Sequence, residues 1–212
     1  MEVAVGGDTE RTAWKELIAH RDDVTLQDVD TFDRFVVVNE REGGLAHLRV
    51  MDLQTGSDTR MEMPETLYTV YGSDNPNYDT TTFRIGYQSM VTPRSVFDVD
   101  LVTGERTLLK ETPVLGGYDR TQYTTERRWA TSADGTKVPM SVLRRNDTPI
   151  DAGAPLLLYG YGSYGAKLDP WFSSARLSLV DRGVIVVVCH PRGGREMGET
   201  WYRRGKFHEK QN

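Results

Sequence analysis

Cysteine, long apolar runs and excess basic charge are all scarce in this sequence, and each absence excludes a class of protein. The 212 residues contain one cysteine, Cys189, which excludes an internal disulfide and is typical of a reducing compartment. No window approaches the ~18 apolar residues of a membrane-spanning helix. The net charge of −5 offers no basic face for nucleic acid. We therefore predict a cytoplasmic protein that binds neither membranes nor nucleic acids.

The sequence also lacks the residue spacings of metal sites. Its four histidines are His20, His47, His190 and His208, and no pair of histidines or carboxylates shows metal-ligand spacing such as His-Glu-x-x-His. We expect no metal and no cofactor. His190 follows an apolar run and precedes a proline, which favours a structural role. Cys189 ends the same run, which favours a buried and unreactive thiol.

Residues 1–118 contain no long helical pattern and alternate short β-rich runs with turn signals. An eight-residue motif at 52–59 recurs 48 residues later at 100–107, with five of the eight positions identical. Phe35 and Phe83 are related by the same offset, and residues 12–17 hold a fainter third copy. In both full copies Asp, Thr and Gly suit a hairpin turn, because glycine adopts positive φ without steric cost.

Repeats of this length that consist only of strands are typical of β-propeller blades. Each blade would end in such a hairpin and bury its two faces against neighbouring blades. A chance similarity within a β-sandwich is the alternative. Two blades and the edge of a third are fewer than the ~4 to 8 blades that close a ring. We therefore expect an incomplete propeller with uncovered apolar faces and strand edges.

A change of pattern near Gly116-Gly117 predicts a boundary between two domains. Residues 1–118 are assigned to the C-terminal blades of the incomplete propeller, and residues 119–212 to the N-terminal part of an α/β domain. Asp134-Gly135 lies between two alternating runs and predicts a hairpin early in this second domain.

The second domain then alternates strand, loop, helix, strand and loop, which is the start of an α/β layer. The apolar run at 155–158 predicts a buried strand, and the run at 184–189 predicts a central parallel strand covered on both faces. Residues 171–181 predict a helix that packs on the sheet and ends at Arg182-Gly183. Residues 198–212 begin a further helix.

The loop at 159–165, Tyr-Gly-Tyr-Gly-Ser-Tyr-Gly, follows the first of these strands directly. Three glycines and three tyrosines within seven residues suit neither a helix nor a strand. They suit a sharply bent loop that presents aromatic rings and hydroxyls to a cleft. This loop is therefore the candidate functional segment.

Three segments of the second domain, 155–165, 169–173 and 176–183, closely resemble the oligopeptidase B branch of the prolyl oligopeptidase family of serine peptidases. The similarity extends over about residues 60–212 and is most specific from 155 onward. The resemblance implies a β-propeller followed by an α/β-hydrolase domain. It also implies cleavage of short peptides after Arg or Lys by acyl-enzyme chemistry. The predicted fold class is thus mixed, a partial all-β propeller followed by the first part of an α/β-hydrolase domain.

The resemblance assigns roles to two tyrosines of the loop. Tyr161 matches the tyrosine whose hydroxyl helps to form the family's oxyanion hole. Tyr164, on the same loop, is a candidate substrate-binding residue. Ser163 and Tyr164 stand where the prolyl-specific branch usually has Gly and Phe, which favours the branch that cleaves after basic residues. One departure is Arg195, which replaces the third glycine expected after the Arg-Gly-Gly at 192–194. If that glycine needs positive φ, the loop would be strained or shifted.

The catalytic triad of the family is absent from this sequence. A serine hydrolase of this fold needs a Gly-x-Ser-x-Gly elbow followed by Asp and His, and no such elbow is present. Ser163 is not a substitute, because Tyr161 stands where the elbow has its first glycine. We therefore expect a piece of a larger serine endopeptidase, truncated before the nucleophile and inactive alone, whose partners are short basic peptides. The alternatives are prolyl oligopeptidase, which would cleave after Pro, and a non-catalytic propeller-based binding remnant.

Overall fold

A computed structural model describes residues 1–3, 10–151 and 153–211. These residues form three four-stranded sheets and one two-stranded sheet. In the described ranges, no helix has the length and apolar character to cross a bilayer. In chain order the elements are β1 (Glu2–Val3), a 3-10 turn (Arg11–Ala13), β2 (Lys15–Glu16), β3 (Val24–Thr31), β4 (Phe35–Glu42), β5 (Leu45–Asp52), β6 (Asp58–Arg60), β7 (Tyr68–Gly72), β8 (Thr82–Ser89), β9 (Ser95–Asp100), β10 (Arg106–Glu111), a 3-10 turn (Arg120–Gln122), β11 (Tyr123–Thr131), β12 (Lys137–Arg145), β13 (Leu156–Gly160), α1 (Ser174–Val180), β14 (Ile185–Cys189), α2 (Glu199–Arg203) and a 3-10 turn (Phe207–Gln211).

The sheets β3–β6 and β7–β10 are antiparallel meanders in which each strand pairs with its neighbour in sequence. Phe35 and Phe83, one repeat apart, are both almost fully buried in a core shared by the two sheets. Burial of one such side chain contributes roughly 1.5–3 kcal/mol. The two sheets therefore pack face to face as adjacent blades, as the repeat predicts.

The repeated motif forms the same turn in both blades. In each copy the aspartate side chain accepts the N–H two residues on, at 2.9 Å for Asp52 and 2.8 Å for Asp100. The glycine N–H then donates to the aspartate carbonyl at 2.8 Å, with φ of +73° at Gly56 and +77° at Gly104. The turns connect β5 to β6 and β9 to β10, so the predicted hairpin between a blade's last two strands is confirmed.

The fainter third copy takes a different form. Thr12 lies in the 3-10 turn Arg11–Ala13, whereas its counterpart Thr59 is a residue of strand β6. The following β2 pairs with β1 in the two-stranded sheet. Ile18 then packs against the face of the first blade that carries Val36 and Val38. Residues 12–17 therefore lie beside the first blade but do not repeat its hairpin.

The third sheet has the order β11-β12-β14-β13 and mixes strand directions. The Asp134-Gly135 turn joins β11 to β12 as predicted, with φ of +84° at the glycine. Helix α1 begins later than the predicted 171–181, because Ser173 caps it by accepting the N–H of Arg176 at 3.3 Å. Helix α1 buries Leu177 in a core shared with the sheet. Gly183 follows the helix with φ of +83°.

Two predictions for this sheet need correction. Strand β13 was expected to be buried, but Leu158 is 61% exposed and every residue of the strand is exposed. The reason is its position, since β13 pairs only with β14 and forms the edge of the sheet in the described chain. Strand β14 is central and largely buried, as predicted. It is parallel to β13 but antiparallel to β12, so its surroundings are mixed and not purely parallel.

Candidate oxyanion site

The loop at 161–165 leaves the carboxyl end of β13, beside the carboxyl end of the parallel strand β14. This edge of a parallel strand pair is where open α/β sheets bind ligands. Tyr161 is the first loop residue and is 50% exposed, and Tyr164 is 90% exposed with φ of +56°. Both sequence-predicted site residues therefore lie on one short loop, with rings available to a ligand.

Two glycines allow this loop to pack directly on the loop that follows β14. Gly162 has φ of +60°, and a Cβ there would lie 2.5 Å from Cγ of Pro191. Gly193 has φ of +99°, and a Cβ there would lie 2.1 Å from the carbonyl oxygen of Gly162. The N–H of Gly165 donates to the carbonyl of Gly193 at 2.9 Å. The two backbones and the Pro191 ring are packed so closely that no side chain fits at either glycine.

Arg192 anchors the second loop to the β11–β12 hairpin. The buried guanidinium contacts Oδ2 of Asp134 at 2.5 Å and Oγ1 of Thr136 at 3.2 Å. The hydrogen bond from Arg192 holds the pKa of the Asp134 carboxyl well below its usual range. Asp134 therefore stays ionised at neutral pH and fixes the loop on which Gly162 rests.

A buried polar chain runs beneath the two loops. Glu196 is 1% exposed, and its Oε1 accepts the N–H of Leu168 at 3.1 Å and lies 3.7 Å from Nδ1 of His190. Nε2 of His190 lies 2.9 Å from Oγ of Ser141, and the indole of Trp201 donates to the His190 carbonyl at 3.2 Å. His190 is only 1% exposed, so its ring is surrounded by protein, which agrees with its predicted structural role.

Arg195 does not strain the loop. In the described residues only Tyr164 and Phe207 have positive φ among non-glycine residues, so Arg195 needs no glycine conformation. Its guanidinium pairs with Glu199 at 3.1 Å and lies 4.8 Å from the ring centre of Tyr202. The condition for strain at the missing third glycine is therefore not met, since the positive φ of this loop is at Gly193.

The blades contact the segments that carry the site. Arg41, 3% exposed, pairs with Asp169 at 2.6 Å, and Arg127 donates to the carbonyl of Gly43 at 2.8 Å. Burial lowers the pKa of Arg127 to about 10, which leaves it charged at neutral pH. The N–H of Phe172 donates to the Gln88 side chain at 3.4 Å. No motif in the sequence indicates these pairs, because their members are distant in the chain and ordinary in type.

Cys189 is less buried than predicted. Its thiol is partly exposed, and burial nevertheless raises the pKa of that thiol, which disfavours the reactive thiolate. Among the described residues, no group of His, Cys, Asp and Glu has an arrangement that could hold a metal ion.

Two family models match the chain. The model described as prolyl oligopeptidase, N-terminal beta-propeller domain, matches residues 2–112, and the model of the prolyl oligopeptidase family matches residues 170–212. Dipeptidyl aminopeptidase BI of Pseudoxanthomonas mexicana is 45% identical over 205 residues, which are 96% of this chain and 28% of that protein. Protease 2 of Moraxella lacunata is 38% identical over 92% of this chain and 28% of its own length.

Solved structures give the same result. Oligopeptidase B from Trypanosoma brucei, in a closed form with covalently bound antipain, matches with a TM-score of 0.85 and 37% identity. The match covers 96% of this chain and 30% of that one. Oligopeptidase B from Leishmania major matches with a TM-score of 0.82 and 37% identity, over 92% of this chain and 29% of that one.

The chain therefore spans less than a third of the length of these relatives. The predicted fold class, a partial propeller followed by the first part of an α/β-hydrolase domain, is confirmed by the match of each part to its family model. Members of the family are peptidases, and this chain belongs to the prolyl oligopeptidase family.

Proposed function

We propose that these residues are part of a serine endopeptidase that cleaves short peptides after Arg or Lys through an acyl-enzyme. In this proposal the hydroxyl of Tyr161 donates a hydrogen bond to the oxyanion of the tetrahedral intermediate. The observation that carries the proposal is the position of Tyr161. It is half exposed at the carboxyl edge of a parallel strand pair, on a loop held by backbone contacts.

The chemistry explains why a fixed tyrosine is useful there. Attack on a peptide carbonyl develops a full negative charge on oxygen, and a donor already in position stabilises that charge without reorganisation. Loss of one such donor lowers kcat by about 10²–10³-fold in comparable sites. The glycine contacts at Gly162 and Gly193 support the proposal, because a loop without such contacts would hold the hydroxyl less firmly.

Tyr164 is proposed to contact the peptide substrate. A non-glycine residue with φ of +56° costs of order 1–3 kcal/mol, and such strain is concentrated at ligand clamps and active sites. Its ring is almost fully exposed, so the strain is not offset by burial in the described chain. A ring held out from the loop in this way is suited to stack on a bound peptide.

Cleavage after basic residues is supported by the pattern of similarity. Identity is 37% to the two oligopeptidase B structures and 27% to a prolyl endopeptidase structure. Ser163 and Tyr164 also differ from the Gly and Phe of the prolyl branch.

We propose the division of the chain at Gly116-Gly117, with residues 1–118 as blades and 119–212 as the start of the catalytic domain. The serine, aspartate and histidine of the triad then come from outside these residues.

A second candidate activity is removal of dipeptides from a free amino terminus. The observation that favours it is the 45% identity to a dipeptidyl aminopeptidase. The prolyl-specific enzyme and a non-catalytic binding module remain further alternatives, and one experiment separates all four.

The test is expression of the complete reading frame that contains these 212 codons. Cleavage of blocked arginyl and lysyl reporter peptides, sensitive to a serine-directed covalent inhibitor, is the expected result. Preference for a prolyl reporter, or a requirement for a free amino terminus, would transfer the assignment to the corresponding alternative. A reading frame without a Gly-x-Ser-x-Gly elbow would contradict the enzyme and favour the binding module.

The role of Tyr161 is tested in the same protein. Tyr161→Phe removes only the hydroxyl, and we expect kcat to fall by about 10²–10³-fold with little change in KM. Tyr78→Phe makes the same change at an exposed tyrosine between β7 and β8 and should leave kcat unchanged. The isolated 212 residues should show no hydrolysis, and inhibitor-sensitive cleavage by them would contradict the proposed origin of the triad.

A further inference from the structure

The segment after α2 lies directly against the two loops of the candidate site. Gly205 is buried, and a Cβ there would lie 2.1 Å from the nitrogen of Gly193 and 2.2 Å from the carbonyl carbon of Arg192. Only glycine fits this backbone contact. The 3-10 turn Phe207–Gln211 follows at once and therefore starts from a fixed point beside the loops.

Lys210 in this turn bridges the two loops. Its ammonium donates to the carbonyl oxygen of Gly162 and lies 3.5 Å from the carbonyl oxygen of Arg192. Gly162 is the residue directly after Tyr161, so this contact fixes the peptide group between Gly162 and Ser163, one residue beyond the proposed oxyanion donor. Hydrogen bonds from an ionised donor are roughly twice as strong as neutral ones. The contact also brings together two carbonyl oxygens that would otherwise repel each other.

The other hydrogen bonds that hold the loop on the C-terminal side of Tyr161 are further along the chain. The N–H of Gly165 donates to the carbonyl of Gly193, and the N–H of Leu168 donates to Glu196. On the N-terminal side, Gly160 is held in the β13–β14 ladder. Lys210 therefore acts on the short stretch between the strand and Gly165, where a small shift moves the Tyr161 hydroxyl.

We propose that Lys210 is a positioning residue for Tyr161, which it serves by clamping the Gly162 carbonyl against the loop after β14. Its part in catalysis rests on the proposed role of Tyr161 in a serine peptidase. Lys210 does not itself contact the substrate in this proposal. Its loss is expected to displace the donor, and a displacement of ~1 Å in an active site lowers the rate by up to about 10²-fold.

The test is a double-mutant cycle in the product of the complete reading frame. Lys210→Met keeps the aliphatic stem and removes the charge, and we expect kcat to fall about tenfold or more while KM changes little. In a Tyr161→Phe background the same change should lower kcat less than twofold, because the donor that Lys210 positions is already absent. Equal losses in both backgrounds would overturn the proposal. If Lys210→Met does not fold, Lys210→Gln removes the charge and keeps only a weaker neutral donor, so in the same cycle a smaller loss of kcat is expected, again confined to the background that retains Tyr161.

Lys206→Met is the matched control. Lys206 belongs to the same segment, and its ammonium lies 4.5 Å from the ring centre of Tyr202, not on the site loop. It should leave kcat and its dependence on Tyr161 unchanged. A loss equal to that of Lys210→Met would show that any lysine removed from this segment has the effect, and would overturn a specific role.

Hydrogen exchange separates the failure of this inference from failure of the proposed function. The amide of Gly165 should exchange faster in Lys210→Met than in Lys206→Met, whether or not the protein is a peptidase. Unchanged exchange would overturn the clamp even if Tyr161→Phe is impaired. Faster exchange in a protein whose Tyr161→Phe variant keeps full activity would retain the clamp and refute the catalytic role of Tyr161.

Discussion

The blades and the third sheet bury their central strands to a similar degree but by contacts of different range. Strand β4 is covered on one face by the second blade and on the other by residues beside Ile18, and each of its ladders joins it to a neighbour in sequence. Strand β14 is buried between β12 and β13, and no simple turn joins it to either. Helix α1 lies between β13 and β14 in the chain. Because β13 follows β12 in sequence but lies beyond β14 in space, it becomes an exposed edge.

The difference teaches that an apolar run whose neighbours are local is reliably buried, whereas the burial of a run with distant neighbours depends on its place in the sheet. Strand β14 is central and buried, but β13 lies at the edge and is exposed. In the blades, the strands that cover Phe35 and Phe83 belong to the same two adjacent repeats, so pattern and burial agree. In the third sheet, Leu156 and Leu158 are as apolar as any blade residue but remain mostly exposed, since no described segment covers them. An exposed apolar edge of this kind favours self-association.

The largest test of this contrast is a pair of truncations. Phe83→Ala removes a fully buried ring from the core between the blades and should lower the free energy of unfolding by about 3–5 kcal/mol. Leu158→Ala on the exposed edge should cost less than about 1 kcal/mol, because little burial is lost. Urea unfolding of the 212-residue chain measures both. A cost for Leu158→Ala close to that of Phe83→Ala would show that the edge is covered in solution.

A second test concerns the contact between the two regions. Asp169→Asn leaves Arg41, 3% exposed, without its carboxylate and should cost about 3 kcal/mol, because a buried charge loses its partner. Asp147→Asn removes one of the two carboxylate partners of Arg145 on the surface and is the control, with little or no change expected. Equal effects of the two substitutions would mean that the interface pair is hydrated.

A third test asks whether the two blade turns are equivalent. Gly56→Ala and Gly104→Ala should each cost about 1–2 kcal/mol, because a Cβ disfavours positive φ although space is free at both sites. Gly56→Asn should cost less than Gly56→Ala, since asparagine tolerates this conformation. A large difference between the two alanine variants would contradict the equivalence of the repeats.

The smallest expected effect is a pH dependence in the third sheet. The Arg192 hydrogen bond lowers the folded pKa of Asp134, so its contribution to stability is present above the unfolded pKa of about 3.9 and is lost as pH falls below it. Asp134→Asn should therefore be less stable than wild type at pH 6, and the difference should shrink below about pH 4. If the difference in stability between wild type and Asp134→Asn did not change with pH, the effect would come from lost packing and not from the charge of Asp134.

Much of the candidate site was accessible from the sequence. The glycines and tyrosines of 159–165 indicated a bent loop with exposed rings, and resemblance added the role proposed for Tyr161. The residues that hold the loop were not accessible. Lys210 and Glu196 are ordinary charged residues in the sequence. Their sequence neighbours and spacing do not indicate that Lys210 donates to a carbonyl of the loop or that Glu196 accepts the N–H of Leu168.

What the sequence by itself determined is local. The aspartate–glycine turns, the two meandering blades and the hairpin at Asp134-Gly135 follow from backbone preferences of a few adjacent residues. The tertiary structure alone decided the exposure of β13, the pairing of Arg41 with Asp169 and the hydrogen bond from Lys210 to Gly162. These depend on which distant segments meet. Periodicity and turn chemistry act over a few residues. Sheet edges, interfaces between sheets and contacts between distant segments depend instead on how the strands are arranged in space.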